Sequence, residues 1–148
     1  MSTLPTDQLT FRLTPWADLS KDDLYAILHL RDLVFVVGQG ITSEPEVDGR
    51  DPECAHAMLW HGELLIGTAR VFTEQSPQVV GRVAVHPERQ RGGYGTWLME
   101  QVQEAMGDVS AELHAQAHLE AWYARLGWRR EGDVFYEAEI PHVMMVRP

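Results

Sequence analysis

A chain of 148 residues with 45% apolar and 23% charged side chains is long enough to bury one good core, and residues 1–148 read as a single domain. No apolar run approaches the roughly 20 residues that a bilayer-spanning helix needs. Twenty-two acidic against 12 basic residues leave a formal net charge of −10. That surface repels phosphate backbones, which argues against nucleic acid as the main partner; such an excess chiefly serves solubility, and it would also attract a cationic substrate such as an amine.

The N-terminal stretch MSTLPTDQLTFRL has neither the basic start nor the apolar block of a secretory signal, and TFRL (10–13) reads as a short strand. Ser20 followed by Asp23 marks a helix start. Leu24, Ile27, Leu28, Leu30, Leu33 and Val34 carry helical spacing onward to an end near Gly38. Residues 38–53 read as a loop, with acids clustered in EPEVDGRDPE (44–53). AHAMLW (55–60), LLIGTARVF (64–72) and QVVGRVAV (78–85) read as strands joined by two hairpin turns, His61-Gly62-Glu63 and Thr73 to Pro77.

A helix then opens near Gly95, buries Trp97, Leu98, Val102 and Met106, and stops at Gly107. SAELHA (110–115) is a short strand and HLEAWYARL (118–126) a helix ended by Gly127; VFYEA (134–138) and HVMMVR (142–147) are late strands. Antiparallel strands first and helix-separated strands later predict an α/β fold of the mixed α+β kind, with a central, mostly antiparallel twisted sheet flanked by helices.

The stretch VAVHPERQRGGYGTWLMEQVQ (83–103) places Gly92, Gly93 and Gly95 between a strand end and a helix start. Unpaired N–H groups at a helix start carry the positive end of the helix dipole, and glycines let a pyrophosphate approach them closely. Arg89 and Arg91 add local positive charge. The pattern GxxxxGK[ST] is absent, as is GxGxxG, and hairpin-joined strands before the loop argue against a dinucleotide fold.

Gln90-Arg91-Gly92-Gly93-Tyr94-Gly95, preceded by Val83-Ala84-Val85-His86-Pro87, resembles the Q/R-x-x-G-x-G/A signature of the GNAT acetyltransferase superfamily. QAHLEAWYARLGW (116–128) resembles its second block, and LYAILHLRDLVFVVGQ (24–39), EVDGRD (46–51) and IPH (140–142) resemble its ElaA-like branch. The resemblance runs in order from Leu24 to His142. It implies a GNAT-like fold and direct transfer of an acetyl group from acetyl-CoA to an amine, with no metal. In that family the CoA pyrophosphate lies on the loop, which here means Gln90, Arg91, Gly92, Gly93, Tyr94, Gly95 and Thr96. The pantetheine arm pairs with the free backbone of the preceding strand, here Val83, Ala84 and Val85. Gln116 falls where many relatives carry a cofactor-contacting asparagine.

Transfer requires a proton off the amine and one onto sulfur. Tyr123 occupies the family's general-acid position and lies among the cofactor-binding residues. Many relatives carry a glutamate on the strand before the loop, but residues 78–85 contain no acid; Arg82 is the charged residue there and could hold a carboxylate or face solvent. Glu46, Asp48, Glu137 and His142 are the candidate bases, with ordered water as a competitor. The loop 44–53 and the helix carrying Arg31 are assigned to the acceptor side, for an amine on a small molecule, peptide or lysine side chain.

His114 and His118 stand four apart with Gln116 at a strand–helix junction between them, so they do not form a helical metal pair, and HExxH is absent. Cys54 follows Asp51, Pro52 and Glu53, which favour a quiet thiol, and one cysteine cannot form an internal disulfide, so a reducing cytoplasm is expected. A second reading is a non-catalytic domain that senses acyl-CoA, kept open by the missing strand glutamate. The sequence leaves the oligomeric state open.

Overall fold

The computed structural model describes residues 7–148, so the first six residues of the stretch read for a signal lie outside the described residues. Seven strands form one sheet, β1 (Leu9–Pro15), β2 (Ala55–His61), β3 (Leu64–Phe72), β4 (Gln78–Val85), β5 (Ala111–Gln116), β6 (Arg129–Glu137) and β7 (Ile140–Arg147). Their order is β1-β2-β3-β4-β5-β7-β6, and all neighbours are antiparallel except β4 and β5. The expected mixed, mostly antiparallel sheet is therefore present. Three helices, α1 (Lys21–Arg31), α2 (Tyr94–Met106) and α3 (Glu120–Arg125), flank it. No described helix is long and apolar enough to cross a membrane.

Side-chain alternation divides the packing between the two faces of the sheet. Ala57, Leu59, Ile66, Val71 and Val80 face α2, whose Leu98, Met99 and Val102 are fully buried against them. On the same face Leu113, Ala115, Val143 and Met145 pack under Tyr123 and Trp128. Burying each large apolar side chain is worth about 1.5–3 kcal/mol, so this layer seats both helices firmly. On the opposite face Ile27, Leu30 and Val34 pack on Met58, Leu65 and Ala84.

Helix α1 starts as the sequence indicates, with Ser20 Oγ accepting from Asp23 N–H at 3.0 Å. It does not run to Gly38 as one α-helix. At Arg31 it widens into a π-helical stretch, Asp32–Gly38, which five hydrophobic residues crowded into Leu33–Val37 do not reveal by spacing alone. Strand β6 is longer than expected because Arg129 to Asp133 is polar, includes Gly132 at φ 86° and lies on the sheet edge, where the inward-outward alternation is lost. His114 lies on β5 and His118 on a 3₁₀ turn before α3, so the two share no helix.

Two irregularities of β4 divide the sheet. Thr68 faces Ala84 and Arg70 faces Gly81, so two steps on β3 oppose three on β4. The extra residue is a β-bulge, and within it Arg82 sits at φ 51°, a left-handed conformation uncommon for a non-glycine residue. Beyond the bulge the sheet splits. β4 pairs with β5 only through Gln78–Val80 and Ala111–Leu113, leaving Gly81 to Val85 without a β5 partner.

Candidate active site

The glycine loop follows the end of β4, which is paired with β3 and free on its β5 side. Gly93 is at φ 83° and stands as the residue before α2, with no side chain capping the helix. The first turn contains no acid, so no carboxylate of that turn meets its free N–H groups and dipole. A Cβ on Gly92 would lie 2.7 Å from the Tyr94 ring, which is itself buried, so the loop needs a bare backbone there. Gln90 Nε2 donates to Val85 O at 3.1 Å, fastening the loop to the strand, while Arg91 is exposed. Thr96 Oγ1 accepts from Trp122 Nε1 at 2.9 Å, tying the start of α2 to α3.

Val85, Gly95 and Trp122 converge, since a Cβ on Gly95 would meet Val85 Cγ2 at 3.4 Å and Trp122 Cζ2 at 3.5 Å. Tyr123, next along α3, is 5% exposed and packs edge-on to Trp122 and Trp128 at ring separations of 4.7 and 6.4 Å. Burial pushes its phenol well above the usual 10, so it stays protonated at neutral pH. The side chains of Val83 and Val85 pack into the α2 layer and Ala84 into the α1 layer.

A cavity of about 300 Å³ is lined by Gln39 to Ser43 and by Ala138, Glu139 and Ile140. Gln116, at the end of β5, exchanges amide hydrogen bonds with Gln39 at 2.9 and 3.4 Å. His142 is directly opposite Gln116 in the β5–β7 register. Its Nδ1 lies 2.7 Å from Ile140 O, and because a carbonyl only accepts, Nδ1 carries the hydrogen. Neutral His142 therefore has its lone pair on Nε2, which lies 3.9 Å from Glu137 Oε2. The other oxygen of Glu137 is bonded to His114 Nδ1. His114, Glu137 and His142 thus form one cluster at adjoining strand ends.

Glu46 and Asp48 are placed elsewhere, within a largely buried ion network. Glu46 Oε2 lies 2.7 Å from Arg31 Nε and 2.8 Å from Arg82 Nε, the latter an ion contact without hydrogen-bond alignment. Asp48 pairs with Arg70 at 2.7 Å and with Arg82 at 3.5 Å, and the hydrogen bond from Arg70 holds its carboxyl well below the usual carboxylate range. Asp51, missed at the sequence level, sits between Arg31 at 2.8 Å and Arg70 at 3.0 Å. Arg31 is 1% exposed, so it is a buried anchor of the acidic loop, not a contact open to an acceptor. Glycine spacing and family position pointed to Tyr123 and the loop; nothing local pointed to Arg70 or Asp51, which lie 19 residues apart.

His56 is fully buried below this network and its Nε2 donates to Asp51 O at 2.9 Å. Burial lowers its pKa below 6.5. Above about pH 6.5 it is neutral folded or unfolded; below, the unfolded chain takes up a proton that the folded one resists, so stability falls with acid. The expected slope from this one group is at most about 1.4 kcal/mol per pH unit. His56→Gln keeps a donor toward Asp51 O and does not titrate. Urea midpoints at about pH 7.5 and about pH 5.5 should therefore differ less in the variant than in the parent, and an equal difference would show that His56 is not the group.

A second hollow of about 470 Å³, between Leu13, Pro15, Cys54 and Thr73, lies beside the β1 edge. Cys54 there is buried, and burial raises its thiol to about 11, which matches an unreactive cysteine. Among the described residues, no three His, Cys, Asp or Glu side chains are grouped so as to hold a metal ion.

A sequence model of the family described as Acetyltransferase (GNAT) domain matches residues 46–147. A UPF0039 protein of Schizosaccharomyces pombe is 37% identical over 134 residues, covering 86% of this chain and 89% of that one. Two crystal structures resemble the whole arrangement. An acyl-CoA N-acyltransferase from Pseudomonas aeruginosa superposes with a TM-score of 0.85 at 36% identity, over 95% of this chain and 99% of that one. Escherichia coli ElaA does so with a TM-score of 0.86 at 31% identity, with the same coverage. The divided sheet, the bare glycine loop and these likenesses agree, and the chain belongs to the GNAT acetyltransferase family, in its ElaA-like branch.

Proposed function

We propose that the protein transfers an acetyl group from acetyl-CoA to a primary amine by direct attack. The observation that carries this reading is the segment Gly81 to Val85 of β4, free on its β5 side, followed by a loop into an uncapped, acid-free helix start. The backbone of Val83 to Val85 and the N–H groups from Arg91 to Thr96 suit an extended amide chain ending in a pyrophosphate. Gln90 and Gln116 take supporting parts, holding the loop and the end of β5. Bound acetyl-CoA supplies an activated thioester carbon. Protein residues then have to place the amine and move two protons.

The amine nitrogen forms a bond to the acyl carbon as the carbon–sulfur bond breaks. His142 Nε2 takes the proton from nitrogen, and Tyr123 gives its proton to sulfur. The proton then returns to Tyr123 by way of solvent, so the cycle balances. His142 is preferred to Glu46 and Asp48 because their carboxylates are engaged by arginines, whereas its Nε2 carries the lone pair. Glu137, whose Oε2 lies 3.9 Å from that nitrogen, is assigned to support His142.

Calorimetry with acetyl-CoA, followed by thiol release against a panel of amines, tests the reading. Binding with amine-dependent thiol release is the expected result; absence of binding would refute it. For the base, His142→Gln should lower kcat/KM by about 10²–10⁴-fold and remove the acid-side inflection of its pH profile. An unchanged inflection would assign the proton to water or to another group.

A further inference from the structure

The ion network has a division of labour that the proton-transfer scheme does not use. All three carboxylates, Glu46, Asp48 and Asp51, come from the loop between α1 and β2. All three guanidinium groups come from the frame: Arg31 from α1, Arg70 from β3 and Arg82 from β4. Three charges of each sign cancel, so the loop is held by a neutral, water-poor clasp. The same loop begins with Gln39 to Ser43, which line the 300 Å³ cavity.

Arg82 is the member that reaches from the divided strand. Its Nε lies 2.8 Å from Glu46 Oε2, its Nη2 donates to Glu46 O at 3.2 Å, and Nη2 also lies 3.5 Å from Asp48 Oδ2. Glu46 O accepts from Arg31 Nη2 as well, at 3.0 Å, so side chain and backbone of one loop residue are gripped from two elements. Arg82 makes these contacts from the bulge, at φ 51°, a left-handed conformation that strains a non-glycine residue. We propose that Arg82 is a positioning residue, which sets the loop 39–53, and with it the 300 Å³ cavity that we assign to the acceptor, at a fixed distance from the strand that holds the acyl donor.

The catalytic consequence rests on the acetyl-transfer reading; the mechanical one does not. Arg82→Gly removes the side chain and also relieves the backbone, so its loss of function cannot be ascribed to strain. Arg82→Lys keeps the charge but lacks the planar fork that makes the three contacts together. In Arg82→Gly the acceptor KM should rise at least about tenfold, kcat should change by less than about threefold and acetyl-CoA affinity by less than about twofold. The lysine variant should fall between this and the parent.

Limited trypsin digestion read by mass spectrometry supplies the independent measurement, because Arg50 is half exposed within the clasped loop. Cleavage after Arg50 should be at least about tenfold faster in Arg82→Gly at an unchanged rate elsewhere. An unchanged acceptor KM, an equal loss for both substrates, or an unchanged cleavage rate would overturn the proposal. If the parent protein acetylates no amine, the acetyl-transfer reading fails, and the cleavage rate still decides whether Arg82 holds the loop.

Discussion

Gly93→Glu is expected to weaken acetyl-CoA binding by at least about 100-fold, a loss of about 2.7 kcal/mol. Two effects combine. Gly93 is at φ 83°, where a side chain costs about 1–2 kcal/mol of strain, and it directly precedes a helix with no side-chain cap. A glutamate there would also turn its carboxylate to the same N–H groups and dipole that suit the pyrophosphate, competing for them and repelling it. Gly93→Asn separates the two effects, since asparagine tolerates the left-handed conformation and brings no charge. Calorimetric titration alongside thermal melting is the measurement. Normal affinity in a folded Glu variant would move the phosphate site away from this loop.

Tyr123→Phe is expected to lower kcat by about 10²–10⁴-fold while leaving acetyl-CoA affinity within about twofold. The ring is buried between Trp122 and Trp128, so phenylalanine preserves the packing and removes only the hydroxyl. Because burial raises the phenol above its usual 10, Tyr123 retains its proton through the neutral range, as an acid must. No basic limb from this residue should appear below about pH 10 in the parent's kcat profile. A variant that turns over normally would leave Tyr123 as a core residue only.

Both residues were legible in the sequence because each belongs to a compact local pattern. Ser20 before Asp23 gave the start of α1, Gly107 the end of α2, and Gln90 to Gly95 the loop. The bulge was not legible, since nothing in QVVGRVAV distinguishes a strand with an extra residue from one without. Strand β6 was half hidden for the same kind of reason: an edge strand exposed on both faces need not alternate.

What the sequence by itself determined is therefore the short-range part: caps, turns, the strand and helix periods, and a glycine loop whose family pattern reaches across the chain. Those signals act over a few residues, through backbone conformation and hydrogen bonds that any chain with the same local sequence would form. The tertiary structure decided which charges meet. Glu46 and Asp48 looked like free loop acids until Arg31, Arg70 and Arg82 were brought against them from three separate elements. Gln39 and Gln116 met across 77 residues of chain, and Glu137 met His114 and His142 only once β5, β6 and β7 were side by side. Charge pairing depends on distance and burial in space, and neither is a property of sequence spacing.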